Sequence, residues 1–293
     1  MTSRTWLITG SSRGLGRVLA EAALEEGERV VATARDPRRL DDLVARFPER
    51  ARAVALDVTD RAQADAAVRA AVDAFGRIDV LVNNAGYANI GAIEDLSDDD
   101  FRAQIETNLW GVINVTRAAL PQLRAQGAGH VIQIGSSGGR VTAPGAGPYQ
   151  TAKWAVEGFS GVLAKEVAPL GITVTVIEPG GMRTDWAGAS MTIHAVSEPY
   201  RQTVGVMGDH LEGAADAFRS DPAKAAQAII AISREPQPPL QLLLGSDAYT
   251  LVRAADEARI ASDVRWKELT FSTDADDAVD DTARIREAIG QQA

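Results

Sequence analysis

The sequence predicts an α/β fold, with a doubly wound, mostly parallel sheet of seven strands and helices on both of its faces. Short runs of β-branched and aliphatic residues alternate with alanine-rich segments of helical length along most of the chain. These runs are apolar throughout, which is typical of parallel strands that are buried on both faces. A chain of 293 residues is long enough to bury such a core without disulfides or metals.

The alternation assigns strands and helices along most of the chain, with one long interruption. Pro179 to Asp221 contains no clear strand, and so long a connection in a compact domain is typical of a lid, here over about residues 184–221 and with short helices. Residues 247–293 are expected to extend the domain of residues 1–246 with a helical stretch and an acidic, solvated patch. Strands are predicted at 6–9, 29–34, 53–58, 78–83, 130–135, 172–178 and 240–244, and helices at 16–26, 61–75, 101–124, 149–167 and 222–233.

Composition excludes several classes of function. Cysteine is absent and the three histidines lie far apart, so we expect no disulfide, no thiol nucleophile and no metal site. A net charge of -10 disfavours nucleic acid as a partner. The sequence has no apolar run near the roughly 20 residues that span a bilayer, and its first residues lack the apolar core of a secretory signal. We therefore expect a cytoplasmic protein that does not bind membranes.

A glycine-rich segment, TGSSRGLG at residues 9–16, follows the first strand directly and opens the first helix. This context is the one that a dinucleotide-binding turn requires. Gly10 permits a tight turn, Gly14 permits close approach of a pyrophosphate, and Gly16 permits close packing of helix on strand. The alternative is a glycine-rich turn without a ligand. The candidate cofactor contacts in this turn are Gly10, Ser12, Arg13, Gly14, Leu15 and Gly16.

Two further strand ends meet the same edge of the predicted sheet. Asp57 and Val58 close the third strand, and the sequence NNAG at residues 83–86 closes the fourth. Ligands of open α/β sheets lie outside the carboxyl ends of the strands. We therefore expect Asp57 to accept a hydrogen bond from an adenine amino group; the alternatives are a helix N-terminal acid at Asp57 and a satisfied turn at Asn83. The candidate contacts here are Asp57, Val58, Asn83, Ala85 and Gly86.

Tyr149 and Lys153 are four residues apart and so lie on one face of a predicted helix. With four tyrosines and four lysines in the chain, such a pair is expected by chance about 0.05 times. An ammonium group lowers the pKa of a nearby phenol, which would make Tyr149 a usable acid or base. Ser136 ends the fifth strand, where a hydroxyl can polarise a substrate carbonyl, and Ser137 is the competing candidate. Asn108 is a poor helix former inside a long predicted helix, where it can bend the helix and hold a water.

Together, TGSSRGLG, the NNAG segment, Asn108, Ser136 and the Tyr-x-x-x-Lys pair resemble the short-chain dehydrogenase/reductases, over about residues 3–245. The resemblance implies a Rossmann fold with Tyr149 as proton donor or acceptor. It also implies that Lys153 binds the nicotinamide ribose and lowers the pKa of Tyr149, that Ser136 orients the carbonyl, and that Asn108 anchors a relay water. Gly135 stands where the family usually has a first serine. By the same resemblance, Pro179, Gly180 and Thr184 contact the nicotinamide, Tyr149 and Lys153 are cofactor contacts too, and the protein forms a homodimer or homotetramer.

The end of the second strand predicts which nicotinamide is bound. An acid that would hold the 2′-hydroxyl of NAD is missing at Ala34. Arg35 follows directly, and Arg13 lies in the glycine-rich turn, so two guanidinium groups are available for a 2′-phosphate. NADP(H) is therefore the preferred prediction. NAD(H) is the alternative, because Asp36 is adjacent.

The predicted function is NADP(H)-dependent interconversion of a ketone or aldehyde with an alcohol. The principal alternative is a non-catalytic regulatory protein that binds NADP(H) on the same fold, since fold alone does not separate the two. A sugar-nucleotide epimerase, an activity of the family's longer branch, is less favoured, because that branch has the glycine spacing TGxxGxxG and a larger substrate domain. The predicted lid carries apolar side chains that suit an apolar or aromatic substrate, namely Met182, Trp186, Met191, Ile193 and Val196.

Overall fold

The computed structural model describes residues 3–184, 191–212 and 218–288. Its strands are β1 (Thr5–Ile8), β2 (Arg29–Ala34), β3 (Ala51–Ala55), β4 (Val80–Asn83), β5 (Ala88–Ile90), β6 (Gly129–Ile134), β7 (Ile172–Pro179), β8 (Met191–Ile193) and β9 (Gln241–Leu244). Its α-helices are α1 (Gly14–Glu25), α2 (Asp41–Arg46), α3 (Arg61–Phe75), α4 (Asp98–Ile105), α5 (Gly111–Gln126), α6 (Gly147–Val167), α7 (Val206–Leu211), α8 (Pro222–Ile232), α9 (Ser246–Phe271) and α10 (Thr282–Ala288).

Seven strands form one sheet in the order β3-β2-β1-β4-β6-β7-β9, and every neighbouring pair is parallel. The chain runs outward in one direction from β1 to β3 and in the other from β4 to β9. This reversal places a crevice at the carboxyl ends of β1 and β4, where open α/β sheets bind ligands. The predicted fold class is confirmed.

Helices cover both faces of the sheet. Trp6 and Ile8 of β1 pack into one apolar cluster together with residues of α1, α2 and α8. Leu7, between them, packs into the opposite cluster with residues of α3, α5 and α6. Successive side chains of a strand point to opposite faces, so a strand covered on both sides is apolar at every position. This double burial explains the uniform apolar runs in the sequence.

Two predicted elements differ in the structure. The predicted helix over 101–124 begins earlier, at Asp98, because Ser97 caps it by accepting a hydrogen bond from the Asp100 N–H. It is also interrupted, since residues Glu106–Trp110 form a π-helical turn between α4 and α5. The predicted strand over 53–58 is displaced and ends at Ala55. The π-helical turn holds one of the candidate site residues, Asn108.

The lid region contains a strand that the sequence did not predict, together with the short helices that it did. Strand β8 pairs in parallel with β5, outside the main sheet. Short 3-10 and π-helical turns over Glu198–Gly205 lead into α7. This region contacts the segment after β5, because the Tyr200 hydroxyl donates to Glu94 and the Ser197 N–H donates to Asp95. Residues 185–190, with Trp186, and 213–217 lie outside the described residues, and the function of this region as a lid stays a prediction.

The C-terminal extension is helical, as the sequence predicts. Ala248 and Val252 in the first turns of α9 are buried against the body of the protein. The remainder of α9 and the described part of α10 are mostly exposed. Among the described helices, none is both long enough and apolar enough to cross a membrane.

Candidate active site

The glycine-rich turn between β1 and α1 requires glycine at two of its positions. Gly10 has a φ of +67° and Gly14 a φ of +57°, in the left-handed region. A Cβ atom on Gly10 would lie 2.9 Å from the Cα of Ala85, so the turn is also in close contact with the segment after β4. A Cβ on Gly16 would overlap the amide group of Asn84. The same Cβ would lie 2.6 Å from the carbonyl oxygen of Gly10, so the close packing predicted for Gly16 involves the main chain just after β1 as well as Asn84, which follows β4.

Among the described residues, no side chain caps the N-terminus of α1, which is therefore open to an anion. Arg13 is the N-cap residue, and its side chain makes no capping hydrogen bond. The first turn of α1 contains no acidic residue. A Cβ on Gly14 would meet only Thr184, at 3.9 Å, among the described residues. Uncapped N–H groups at a helix start attract phosphate, so the residues present fit a dinucleotide pyrophosphate. Thr184, a predicted nicotinamide contact, lies beside this turn.

The two asparagines after β4 have different roles. Asn84 was not among the predicted site residues, yet its Nδ2 donates to the carbonyl oxygens of Thr9 and Gly10, at 2.9 and 3.1 Å, and so holds the glycine-rich turn. Asn83 was predicted as a cofactor contact, but its side chain is buried and donates to Thr116 and Gln133. Only the main-chain groups of Asn83 therefore remain available for a contact with the cofactor. The pleat of the strand sends neighbouring side chains to opposite sides, which explains the difference.

The predicted adenine contact Asp57 belongs to a turn. Its Oδ1 accepts hydrogen bonds from the N–H and hydroxyl of Thr59, at 2.9 and 2.7 Å. The N-cap of α3 is Asp60, so the alternative of a helix N-terminal acid does not hold for Asp57, and a role of Asp57 in binding adenine stays a prediction. Val58 is buried, and a Cβ on Gly111 would overlap it, so Val58 shapes the packing at the start of α5.

The end of β2 has the arrangement that the cofactor prediction requires. Ala34 is its last residue, and Arg35 is exposed beyond it. No ion pair involves Arg35 among the described residues, whereas Asp36 is bound by Arg38 through two hydrogen bonds of 2.9 Å. Asp36 also accepts from the Arg38 N–H and caps the following turn. The acid that would favour NAD is therefore engaged locally.

Tyr149 and Ser136 come together at the carboxyl edge of the sheet. Tyr149 lies in the first turn of α6, and its hydroxyl is hydrogen-bonded to that of Ser136, which follows β6. Ser136 Oγ also accepts from the Gly138 N–H at 3.0 Å, which fixes its orientation. Between the two serines left open by the sequence, this contact favours Ser136. Ser137 begins the short 3-10 turn that follows.

Lys153 is one turn further along α6 and is buried. Its Nζ donates to the carbonyl oxygen of Ile134 at 2.6 Å and lies 5.7 Å from the centroid of the Tyr149 ring. Burial lowers the pKa of Lys153 to about 8, against the opposing effect of the Glu157 carboxylate. The ammonium is thus the main form of Lys153 at neutral pH.

The pKa of Tyr149 differs from the expectation. Burial raises it to about 12, and the hydrogen bond from Ser136 only partly opposes this effect. The sequence argument expected the ammonium of Lys153 to lower this pKa. In the structure the ammonium is directed at the Ile134 carbonyl, so desolvation is the larger influence on Tyr149.

Asn108 connects the π-helical turn to the segment after β4. Its Oδ1 accepts from the Tyr87 N–H at 3.0 Å, and its Nδ2 donates to the Tyr87 carbonyl at 2.8 Å. A Cβ on Gly86 would lie 2.9 Å from Asn108 Oδ1, so a glycine is needed there. The predicted distortion of the helix at Asn108 is present. Its side chain, however, binds the protein's own main chain.

Comparisons with known proteins agree with this geometry. The family model described as short chain dehydrogenase matches residues 4–192. The chain belongs to the short-chain dehydrogenase family. It is 53% identical over 272 residues to the oxidoreductase BOA17 of Botryotinia fuckeliana, covering 92% of this chain and 99% of that protein. It also resembles a short-chain dehydrogenase structure from Streptomyces avermitilis, with a TM-score of 0.88, 39% identity, and coverage of 93% and 99% of the two chains. A 3-ketoacyl-(acyl-carrier-protein) reductase of Brucella melitensis, complexed with NADH, matches with a TM-score of 0.68, 27% identity, and coverage of 82% and 96%.

In this short-chain dehydrogenase the segment after β7 is held by a residue that sequence reasoning missed. Pro179 ends β7, and a Cβ on Gly180 would lie 2.6 Å from the Cγ of Asp247. Asp247 accepts from the Gly181 N–H at 2.9 Å. The first turn of α9 therefore fixes the segment that the family resemblance assigns to the nicotinamide. Asp247 is distant in sequence and belongs to no motif, so no local signal pointed to it.

Proposed function

We propose that the chain is an NADP(H)-dependent oxidoreductase that interconverts a ketone or aldehyde with an alcohol. The observation that carries the proposal is the hydrogen-bonded pair of hydroxyl groups on Tyr149 and Ser136, with the buried ammonium of Lys153 one helical turn away. A bound nicotinamide supplies or accepts the hydride. Tyr149 donates or accepts the proton at the substrate oxygen, and Ser136 orients that oxygen by hydrogen bonding.

Lys153 and Asn108 have supporting roles in this proposal. The Lys153 ammonium binds the cofactor ribose and offsets negative charge that develops on Tyr149. Asn108 fixes the main chain at Tyr87, at the border of the substrate site, and a relay water at Asn108 is part of the proposal. The uncapped start of α1 and the glycine-rich turn would hold the pyrophosphate.

A substrate panel with Tyr149→Phe tests the reaction. Purified protein is mixed with apolar and aromatic ketones and aldehydes, and the loss of NADPH absorbance is followed. Tyr149→Phe should lower kcat by roughly 10²–10⁴-fold, the usual contribution of a general acid, and leave NADPH affinity close to that of the wild type. Tyr249→Phe is the matched control, because Tyr249 is exposed on α9. Near-normal turnover by Tyr149→Phe would refute Tyr149 as the proton donor, whereas NADPH binding without turnover of any substrate by the wild type would favour the regulatory alternative.

Preference for NADP(H) over NAD(H) is proposed from the end of β2. The Brucella structure contains NADH, so the fold by itself does not select NADP(H) and local residues must decide. Arg35 is exposed next to Ala34, and the neighbouring carboxylate of Asp36 is bound to Arg38. A guanidinium group at this position attracts a 2′-phosphate, whereas a carboxylate there repels it.

Arg35→Asp should weaken NADPH binding by about tenfold or more and move the preference toward NADH, since the change replaces a donor with a repelling charge. The measurement is kcat/KM with each cofactor. Arg69→Asp, at an exposed position of α3, makes the same change in net charge and should leave the ratio unaltered. An unchanged ratio in Arg35→Asp would show that Arg35 does not select the cofactor.

Apolar or aromatic carbonyl compounds are the proposed substrates. Ile90 on β5 and Val204 in the lid region are buried, and a Cβ on Gly145, just before α6, would meet both of them at 3.0 Å. The wall beside the Tyr149 helix is therefore apolar in this part of the structure. A homo-oligomer and a cytoplasmic location complete the proposal.

A further inference from the structure

Two carboxyl groups lie behind Lys153, on the side away from Tyr149. Glu157 is one turn after Lys153 on α6, and Glu178 is on β7, where its side chain is completely buried. The two carboxyl groups are hydrogen-bonded to each other. A Cβ on Gly135 would lie 2.9 Å from Glu157 Oε1. The same Cβ would lie 2.6 Å from Val176 Cγ1, so the glycine that departs from the family's usual serine leaves room for both Val176 and this acid.

The hydrogen bonds of the pair leave a place for one proton. Glu157 Oε2 accepts from Gln241 Nε2 at 2.9 Å, and Glu178 Oε2 accepts from Arg140 Nη1 at 3.3 Å. The Oε1 atoms of both glutamates are buried and have no donor among the described residues. Two ionised carboxylates in contact repel each other strongly, whereas one shared proton supplies the missing donor and removes half of the charge.

The buried charges next to the pair favour the presence of that proton. Lys153 faces the pair from α6, Arg140 from the turn after β6, and Asp256 from α9. Arg140 is paired with Asp256, which is also bound by Arg259 at the surface. The ammonium of Lys153 is then matched by one negative charge on the two glutamates. With both glutamates ionised, the second carboxylate would depend on Arg140, which also pairs with Asp256, and a poorly compensated buried charge is costly.

The negative charge lies mainly on Glu157. Burial raises the pKa of both glutamates; the neighbouring carboxylate raises that of Glu178 further, whereas the hydrogen bond from Glu178 opposes the rise at Glu157, so Glu178 keeps the proton and donates a hydrogen bond to Glu157. Glu157 is also the group whose charge favours the ammonium form of Lys153. The ionised member of the pair is thus the one on the same helix as Lys153.

We propose that Glu157 and Glu178 hold one proton between them and that the remaining negative charge on Glu157 keeps Lys153 in its ammonium form. Both are positioning residues, because they act on the reaction through Lys153. The inference deepens the proposed function and rests on it for its catalytic meaning. The charge of Lys153 itself is measurable without cofactor or turnover.

Two isosteric substitutions should have different effects on Lys153. In Glu157→Gln the remaining carboxylate is Glu178, beside Arg140, and Lys153 loses its nearest anion, so its titration midpoint should move to lower pH. In Glu178→Gln the charge stays on Glu157, and the midpoint should remain or rise. Glu166→Gln, at an exposed position of the same helix, is the matched control.

The readout is the ¹³C signal of the lysine side chains in cofactor-free protein labelled with [ε-¹³C]lysine. The chain has four lysines, so Lys153 is assigned by the signal that Lys153→Met removes. A fall of the midpoint in Glu157→Gln alone upholds the inference. A fall in both variants, as a general packing defect would give, or in neither beyond the Glu166→Gln control, overturns it.

A wild-type measurement covers the case in which a variant does not fold. Labelling the glutamate side-chain carboxyl groups with ¹³C should show one of them titrating well above the others. Ordinary acidic titration of every glutamate would overturn the inference. If Lys153 responds as expected but the pH profile of kcat does not follow it, the pair sets the charge of Lys153 and the proposed function is at fault instead.

Discussion

Replacing Lys153 with methionine should stabilise the fold while damaging the proposed activity. Burial lowers the pKa of Lys153 from 10.5 to about 8. At 1.36 kcal/mol per pH unit, holding this ammonium in the folded state at neutral pH costs about 3 kcal/mol. Methionine has a similar length and no charge to desolvate. The substitution removes this cost.

Two losses reduce the gain. The carbonyl oxygen of Ile134 loses the hydrogen bond from Nζ, which costs about 1–2 kcal/mol. The carboxylate of Glu157 loses its neighbouring cation, which keeps the net effect small. We expect Lys153→Met to raise the free energy of unfolding at pH 7 by about 1 kcal/mol, or Tm by roughly 2–4 °C.

The pH dependence of the stability difference between the two proteins identifies the buried ammonium of Lys153 as its cause. Between about pH 8 and 10.5 the unfolded chain still binds the Lys153 proton and the folded chain does not, so the stability of the wild type rises with pH in this window. The methionine variant lacks this rise. Its advantage at pH 7 should therefore disappear, or reverse, as the pH approaches 10.5.

Urea unfolding of cofactor-free protein at several pH values provides the measurement. Lys165→Met, at an exposed position of the same helix, is the control and should change the unfolding free energy little. If Lys153→Met is less stable than the wild type at pH 7, or if the difference between them is constant with pH, the burial cost assigned to Lys153 is wrong. The same variant should bind NADPH more weakly.

Two further predictions concern stability alone. Gly10→Ala should lower the free energy of unfolding, measured by urea titration, by about 1–3 kcal/mol, because it places a Cβ at a φ of +67° and 2.9 Å from the Cα of Ala85. The control is Gly158→Ala, in an open helical position, which should leave the free energy of unfolding equal or raised. A Gly10→Ala protein as stable as the wild type would contradict the clash. Burial lowers the pKa of His130 to about 4, so the stability that the neutral side chain provides is lost as the pH falls from 6.5 toward 4. His130→Gln, which can keep the hydrogen bond to Thr175, should flatten the pH dependence of Tm in that window. Equal slopes of Tm against pH in the variant and the wild type would exclude His130 as the cause.

The fold was predictable because burial on both faces leaves a strong pattern in the sequence. The short strands β5 and β8 leave almost none, since each has three residues and β8 is largely exposed. The π-helical turn at Asn108 was predictable as a distortion but not in its type. Its geometry depends on the hydrogen bonds between the Asn108 side chain and the main chain of Tyr87, which are distant in sequence.

Some residues of the candidate site were likewise predictable from the sequence and others were not. Gly10, Ser136 and Tyr149 were predictable, because each belongs to a short motif whose spacing has a chemical reason. Glu157 was not, since an acid on a long helix is usually solvated. Glu178 carried a weak signal as the charged residue in an otherwise apolar strand, and such a residue needs a partner when it is buried. Its partners, Glu157 on α6 and Arg140 in the turn after β6, are distant in sequence, and no local pattern indicates them.

The acid strength of Tyr149 shows why the motif alone is insufficient. A spacing of four residues places Tyr149 and Lys153 on one helical face, but the position of Nζ depends on what else attracts it. In the structure the Ile134 carbonyl holds Nζ at 2.6 Å, and the pKa of Tyr149 is raised to about 12. An ammonium that bound the phenol oxygen would lower that pKa. The groups that decide between these two positions, the Ile134 carbonyl and Glu157, lie outside the Tyr-x-x-x-Lys motif. The strength of Tyr149 as an acid or base is therefore a property of the contacts around Lys153 as much as of the spacing of the two residues along α6.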